Sequence, residues 1–323
     1  MRRREFIALM GASVAWPFAA LAQEPGRTYR VGLVSPVECE DQPITVGFAE
    51  ELRPLGFVKG QNFTIVCRNF GRNADVSSQY ATELVKDRVD TIVTYGEVAA
   101  RAAQQATKTI PIVVVTDDML GPGLVTSLAR PTGNTTGVSI LATELDGKRQ
   151  ELLIEAVPGL RRMAALADTN TTSDAKLNAL QEAARARDIE LSIHRTAKGD
   201  EIVPGINMAQ ASGATALNVL ASPLLFAYRQ LIMDRVAAPR LPAIYQWPEN
   251  AAEGGFAAYG PSVREIALEL ARQLANVFRG TKIVDIPVEQ PTHFELWINL
   301  KTAKAMGVTV PEALLARADK VIE

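Results

Sequence analysis

From Tyr29 onward, short β-branched runs alternate with longer amphipathic stretches, the pattern of βαβ units wound into a parallel sheet. The pattern predicts strands at Tyr29–Ser35, Phe63–Asn69, Thr91–Tyr95 and Ile112–Thr116. The last is a continuous apolar run, as expected of a strand buried on both faces. Helices are expected at Ile44–Leu55, ended by Gly56, at Ser77–Arg88 and at Val98–Thr107. Gly121-Pro122-Gly123 breaks the chain before a short helix expected to reach Ala129. Thr136–Leu141 then forms the last strand of this half.

The pattern repeats. A helix over Leu145–Ala156, stopped by Pro158-Gly159, leads to a strand at Arg162–Ala167 and a helix at Asp174–Arg187. Strands at Glu190–His194, Thr215–Val219 and Ala243–Gln246 are expected, with helices near Glu201–Ala211 and Leu224–Val236 between them. After Gly254-Gly255 come a short segment Phe256–Gly260, a long helix Ser262–Phe278, a final strand around His293–Asn299 and a terminal helix from Pro311. The expected fold class is α/β, with two doubly wound parallel-sheet halves of similar size. Open parallel sheets bind ligands outside their C-terminal strand ends, where the strand order reverses. Two such sheets facing each other make a cleft suited to a small molecule.

Ahead of this pattern, residues 1–22 read as an export signal. Arg2-Arg3-Arg4-Glu5-Phe6 is a basic head with the Arg-Arg-x-Phe pattern, followed by an apolar stretch from Ile7 to Leu21 and the small-x-small end Ala20-Leu21-Ala22. Cleavage is expected after Ala22, and the paired arginines fit the twin-arginine route as well as general secretion. No Cys follows the cut, so the expectation is a periplasmic protein without a lipid anchor. Gly11 and Pro17 interrupt a stretch already short for a membrane-spanning helix.

The chain carries 34 Lys and Arg against 36 Asp and Glu. Removing Arg2, Arg3, Arg4 and Glu5 with the leader leaves 31 against 35, a net charge of −4. Such mild acidity gives no electrostatic reason to expect nucleic acid or anionic lipid as partner. Cys39 and Cys67 are the only cysteines and stand in no metal or redox spacing. Both fall near the C-terminal ends of strands expected to be neighbours. They form either a disulfide, worth about 3–4 kcal/mol in the chain-entropy model, or two separately buried thiols.

Two blocks are more specific than any pattern. Residues 124–138, LVTSLARPTGNTTGV, and residues 287–304, PVEQPTHFELWINLKTAK, resemble signatures of the ABC transporter substrate-binding proteins with the type I periplasmic binding fold. Within that family they are most similar to the uncharacterised and aromatic-amino-acid-type group. Leu55-Gly56-Phe57-Val58 and Arg240-Leu241-Pro242-Ala243-Ile244-Tyr245 add smaller matches. The resemblance implies two α/β lobes joined by three crossing segments, placed near Gly137–Ala142, Gly254–Ala258 and Val288–Pro291. Lobe 1 would comprise 27–140 and 257–288, and lobe 2 would comprise 141–256 and 289–323. It also implies capture of a small molecule, amino acid or aromatic acid, by hinge closure, and delivery to an ABC permease and its ATPase in the inner membrane. A monomer without cofactor is expected.

Strand-end residues are the candidates for contact with the ligand. Ser35 either donates to a ligand oxygen or completes a turn. Tyr95-Gly96-Glu97 stands at a helix N-terminus, where free N–H groups suit a carboxylate and Gly96 permits close approach. Glu97 suits an ammonium or simply stabilises its helix. Thr116 and Asp117 end the fourth strand, Asp117 as ammonium partner or cap. Asp168, Thr169 and Asn170 end a strand in the second half, and Ser222-Pro223 reads as a helix start. Gln246 and Trp247 follow the last strand of that half, and Tyr259 offers an aromatic face. The acidic loop Pro36–Pro43 is expected to border the cleft. His194 and His293 stand alone, which favours structural roles over metal binding. An exported enzyme is the rival reading, but Gly-x-Ser-x-Gly, His-Glu-x-x-His and Gly-rich phosphate loops are missing. A sensory module with the same fold would differ only in its membrane partner.

Overall fold

The computed structural model describes residues 26–35, 39, 42–70 and 76–323. The expected export signal, residues 1–22, and Glu38, Glu40 and Asp41 of the acidic loop lie outside the described residues.

The first sheet is parallel, with β1 (Tyr29–Ser35), β2 (Phe63–Asn69), β3 (Thr91–Tyr95), β4 (Ile112–Thr116) and β5 (Thr135–Ser139) in the order β2-β1-β3-β4-β5. The second contains β6 (Arg162–Asp168), β7 (Glu190–Thr196), β8 (Leu217–Val219), β9 (Ala243–Tyr245) and β10 (Ala257–Gly260), in the matching order β7-β6-β8-β9-β10. Antiparallel β11 (Glu295–Asn299) extends it beyond β10, and β12 (Lys320–Ile322) pairs parallel with β11. Each half therefore reverses strand order once, between β1 and β3 and between β6 and β8. The expected α/β class with two doubly wound lobes is what the chain forms.

Helices α1 (Pro43–Leu52), α2 (Ser77–Lys86) and α3 (Glu97–Ala106) cover the first sheet; α4 (Asp146–Ala156), α5 (Asp174–Arg185), α6 (Ile202–Ala211), α7 (Pro223–Ala227), α8 (Arg229–Ala237) and α9 (Glu249–Ala252) belong to the second. The long α10 (Val263–Phe278) returns to the first sheet, while α11 (Leu300–Met306) and α12 (Glu312–Leu315) end in the second. In α10, Val263, Ile266, Ala267, Leu270, Ala271, Leu274 and Phe278 repeat at helical spacing and are all buried. Ser262 caps the helix by accepting from the Glu265 N–H. Gly47 of α1 allows the approach, since a Cβ there would lie 2.8 Å from Ala267 Cβ. At the far end Phe278 stacks on Tyr29 with ring centroids 4.5 Å apart, and the Tyr29 hydroxyl donates to the Phe278 carbonyl at 2.6 Å.

Two boundaries differ from expectation. The expected return to lobe 1 at residue 257 is corrected by β10, which pairs with β9 through Ala257 and Ile244, so the chain leaves the second sheet only after Gly260. The glycine pair 254–255 marks the tight turn into β10 instead, and at Gly260 a Cβ would sit 2.0 Å from the Gln246 carbonyl. Glu289, expected in lobe 2, is still bound to β5: its N–H donates to the Gly137 carbonyl at 3.0 Å and its carbonyl accepts from Ser139 N–H at 2.9 Å. The third crossing therefore lies between Glu289 and β11.

Other differences are local. No helix forms over 124–129, because the carbonyls of Pro122 and Leu124 accept from Arg101 and Gln104 of α3, and that of Leu128 from Val288 N–H. The helix expected over 224–236 divides at Tyr228, whose ring fills the space a Cβ on Gly199 would occupy. Helix α11, not expected from the pattern, starts at an Asn299 cap and ends at Gly307 in the left-handed region.

A buried ion pair anchors the lobe 2 side of the junction. Arg149 of α4 has a fully buried side chain and donates to Asp146 Oδ1 at 2.6 Å, to the Tyr259 carbonyl at 3.0 Å and to the Ala142 carbonyl. Ala142 lies on the first crossing and Tyr259 just before the second. Asp146 Oδ1 also accepts from Ala221 N–H at 3.0 Å, and its carbonyl from Asn218 Nδ2 at 3.2 Å. Burial pushes the Asp146 carboxyl above its usual range, and the Arg149 charge opposes that shift.

Cys39 and Cys67 are joined, with Cα atoms 6.0 Å apart. The link ties the loop after β1 to β2, where Cys67 is in register with Leu33. Reduction followed by alkylation should add two alkyl groups to the intact mass, while alkylation of the unreduced unfolded chain should add none. Replacing both cysteines by serine should cost about 3–4 kcal/mol in urea unfolding. Arg149→Met should cost about 3–5 kcal/mol by the same measurement, because it leaves the Asp146 carboxylate buried without its partner. A loss below about 1 kcal/mol would remove the pair from its structural role.

Candidate functional site

Between the two sheets lies a cavity of about 640 Å³, a size that accommodates a small metabolite. It sits at both strand-order reversals, where β3, β4, β6 and the chain after β8 end. Lobe 1 contributes Phe70, Tyr95, Gly96, Glu97, Thr116, Asp117, Asp118 and Pro122 to its wall. Lobe 2 contributes Asp168, Asn170, Lys176, Lys198, Ser222, Phe226, Gln246 and Trp247. The wall is mainly apolar, with four aromatic rings and a few fixed polar groups.

On lobe 1, the Tyr95 hydroxyl is 3.0 Å from Thr45 Oγ1; burial raises its pKa above the ordinary phenol value, and this hydrogen bond opposes the rise. Gly96, at φ 84°, caps α3 without a side chain, so no side-chain hydrogen bond closes the helix's first turn. A Cβ on Gly96 would come 3.3 Å from Pro223 Cγ, which measures how near the lobes approach here. Glu97 pairs along its own helix with Arg101 at 2.7 Å. Asp117 accepts from Thr143 N–H at 2.7 Å and from the Thr143 hydroxyl, and its Oδ2 lies 3.6 Å from Lys176 Nζ. The Lys176 pair spans the cleft.

On lobe 2, Asp168 is buried and fully occupied. Its Oδ1 accepts from Asn170 N–H at 2.9 Å, and its Oδ2 accepts from Ser222 Oγ at 2.6 Å and Thr171 Oγ1 at 3.2 Å. Ser222 Oγ accepts in turn from Leu225 N–H at 3.2 Å, capping α7. Gln246 Oε1 accepts from Ser222 N–H at 3.0 Å. Phe226 and Trp247 lie 5.6 Å apart by ring centroids, and the Arg229 guanidinium sits over the Phe226 ring at 4.7 Å from its centroid. Trp247 and Ala221 belong to the same apolar cluster as Val115 and Ile140, so the cleft floor is continuous across the lobes.

The structure brings together nine of the twelve expected contact residues: Tyr95, Gly96, Glu97, Thr116, Asp117, Asp168, Asn170, Ser222 and Gln246. Three lie elsewhere. Ser35 is fully buried and does not line the cavity, and Thr169 turns to the Thr196 carbonyl. Tyr259 packs beside Phe294, 6.3 Å between centroids, while its carbonyl serves Arg149. Phe226, Lys176 and Lys198 were missed, since helix interiors and loop lysines carry no local signal of a cleft. Among the described residues no group of His, Cys, Asp and Glu is arranged to hold a metal ion.

A family model described as ABC transporter substrate binding protein matches residues 30–322. The chain belongs to that family. Similar proteins include a tyrosine-binding protein of Clostridioides difficile strain R20291, 27% identical over 267 residues, covering 81% of this chain and 76% of that one. Among solved structures, a conserved domain protein from Vibrio cholerae is 24% identical with a TM-score of 0.80, covering 91% of this chain and all (100%) of that one. An ABC domain from Streptococcus pneumonia in complex with L-Trp is 22% identical with a TM-score of 0.79, again over 91% and 100%. These likenesses agree with the type I periplasmic binding fold. No described helix of this binding protein is long and apolar enough to cross a membrane.

A buried carboxylate links the lobes of the binding protein. Glu249 of α9 accepts from Val263 N–H at the start of α10, at 2.8 Å, while its Oε2 is sealed without a partner. Burial raises its pKa, opposed by backbone hydrogen bonds from its own N–H, Val263 and Arg264 and reinforced by Glu295. The folded state therefore binds this proton more tightly than the unfolded one. Its contribution to stability falls as pH rises through the window above the ordinary carboxylate value, and grows as pH is lowered from neutral. Glu249→Gln keeps an acceptor for Val263 and removes the titration. Its melting temperature should gain less than the parent's between pH 7 and pH 5, read by circular dichroism. Parallel pH profiles would assign the shift to other groups.

Proposed function

We propose that this protein captures an aromatic amino acid or a related aromatic acid outside the cytoplasm and presents it to an ABC permease and its ATPase. The cavity between the lobes carries the reading: Phe70, Tyr95, Phe226 and Trp247 supply faces for a planar ring, and polar groups from both lobes are held in place around them. The tyrosine-binding relative and the L-Trp complex among the similar structures support the choice of ligand class. The export signal at residues 1–22 and the Cys39–Cys67 link support the periplasm as its compartment. Lobe 1 comprises 27–140 with 263–289 and lobe 2 comprises 141–262 with 290–323, and they close as two bodies about the three crossings. Binding, rather than turnover, is the activity, and the protein works as a monomer.

Thermal melting of the mature chain with a panel of amino acids, aromatic acids, sugars and nucleosides tests this. Ligand at a hundredfold excess over its Kd should stabilise by about 2.7 kcal/mol, seen as a rise in melting temperature. Tyrosine, tryptophan, phenylalanine or an aromatic acid should give the largest shift. No shift with any of these would overturn the proposal, and so would a change in the mass of the recovered ligand.

A further inference from the structure

We infer that the Cys39–Cys67 disulfide positions the two aromatic rings of the lobe 1 wall, Phe70 and Tyr95, so that ligand affinity follows the oxidation state of this pair. The inference rests on the aromatic-acid reading above and gives a part in binding to two residues that do not line the cavity.

Each cysteine stands three residues ahead of the cavity wall, Cys67 before Phe70 and Cys39 before Gln42. Phe70 directly follows β2, which lies at the edge of its sheet and pairs with β1. The Phe70 N–H donates to the Ser35 carbonyl at 3.0 Å, where that pairing ends. An edge strand has a neighbour on one side only, so its end is the loosest part of a sheet. The covalent tie at Cys67 anchors the strand end that carries this ring.

The other end of the link anchors α1. Gln42 occupies the cap position of that helix without a side-chain hydrogen bond to its first turn, so no side-chain cap fixes where the helix begins. Cys39 is buried in the same apolar cluster as Ile44 and Phe48 of α1, and both Cys67 and Tyr95 pack against that cluster. Thr45 Oγ1, in the first turn of α1, lies 3.0 Å from the Tyr95 hydroxyl. Contacts therefore run from the disulfide through the start of α1 to the Tyr95 ring. Both rings that lobe 1 gives to the cavity hang on one cross-link. Rings fixed before a ligand arrives cost less to order when it binds.

Calorimetric titration of the mature chain with L-tyrosine and L-tryptophan tests this role. Cys39→Ala with Cys67→Ala breaks the link without burying hydroxyls. The double variant, shown folded by circular dichroism, should bind the tighter of the two ligands about 10-fold more weakly than the parent. Phe70→Ala should cost the parent about 10-fold and the double variant less than about threefold, because the ring it removes is no longer held in place there. A link that only stabilises the fold would lower the melting temperature and leave affinity unchanged. That result, or equal losses from Phe70→Ala in both backgrounds, would overturn the inference and leave the functional reading intact. The unaltered protein gives a second measurement. Dithiothreitol closes to its own disulfide as Cys39 and Cys67 take up its two electrons and two protons, and alkylation followed by mass measurement counts the thiols formed. Saturating ligand should raise the ratio of reduced to oxidised dithiothreitol needed for half-reduction about 10-fold and then plateau, the reciprocal of the affinity change. No shift, or one that keeps growing with added ligand because reduction unfolds the chain, would also overturn the inference. A parent that binds no aromatic acid in the melting panel would bring down the functional reading itself, and this inference with it.

Discussion

The structure depends on a charge that has been taken out of water. Arg149 is fully buried, and a guanidinium in that position needs a countercharge and acceptors for its terminal nitrogens. Asp146 supplies the countercharge, and the Ala142 and Tyr259 carbonyls accept from the two terminal nitrogens, while Nε is sealed without a partner. Those two carbonyls sit on the chain at the first crossing and just before the second. The requirement to solvate one cation internally therefore holds two of the three junctions in place. Asp146 passes the constraint on, because its Oδ1 receives Ala221 N–H next to Ser222. Hinge geometry and the lobe 2 wall are thus set by the same pair.

The duplicated strand order explains why the cavity lies where it does. Each sheet reverses order once, each reversal leaves strand ends uncovered, and the two lobes are joined so that these ends face each other. Polar side chains on the lobe 2 wall are largely spent on one another: Asp168 orients Ser222, Ser222 orients Gln246, and Gln246 retains a free donor. The lobe 1 wall spends Asp117 on Thr143 and Lys176 and Glu97 on Arg101. What is left over for a ligand is aromatic surface, one helix end and a small number of oriented donors.

Much of the site was readable from strand ends. Tyr95, Thr116, Asp168 and Gln246 follow directly from knowing where strands stop, because topology sends those ends to the cleft. Ser35 also ends a strand, yet it is fully buried in register with Asn69 of β2 and is not part of the cavity wall. Tyr259 was misplaced because its strand was expected to belong to the other lobe. Pairing of Ala257 with Ile244 decides that, and pairing is a long-range fact that no local pattern carries. Arg149 gave no warning at all, since an arginine in an amphipathic helix ordinarily faces water.

By itself, the sequence determined the alternation of strands and helices, the doubling of the α/β unit and, through its two long motif blocks, the family. Periodicity and turn residues act over a few positions, so the chain states them locally. Tertiary structure alone decided where the crossings fall, that α10 returns to the first sheet, and which strand-end side chains share one cavity. It also decided that Arg149 is buried. Those outcomes depend on hydrogen-bond partners and apolar contacts more than a hundred residues apart, such as Arg149 with Tyr259 and Tyr29 with Phe278, and only the folded chain brings such partners together.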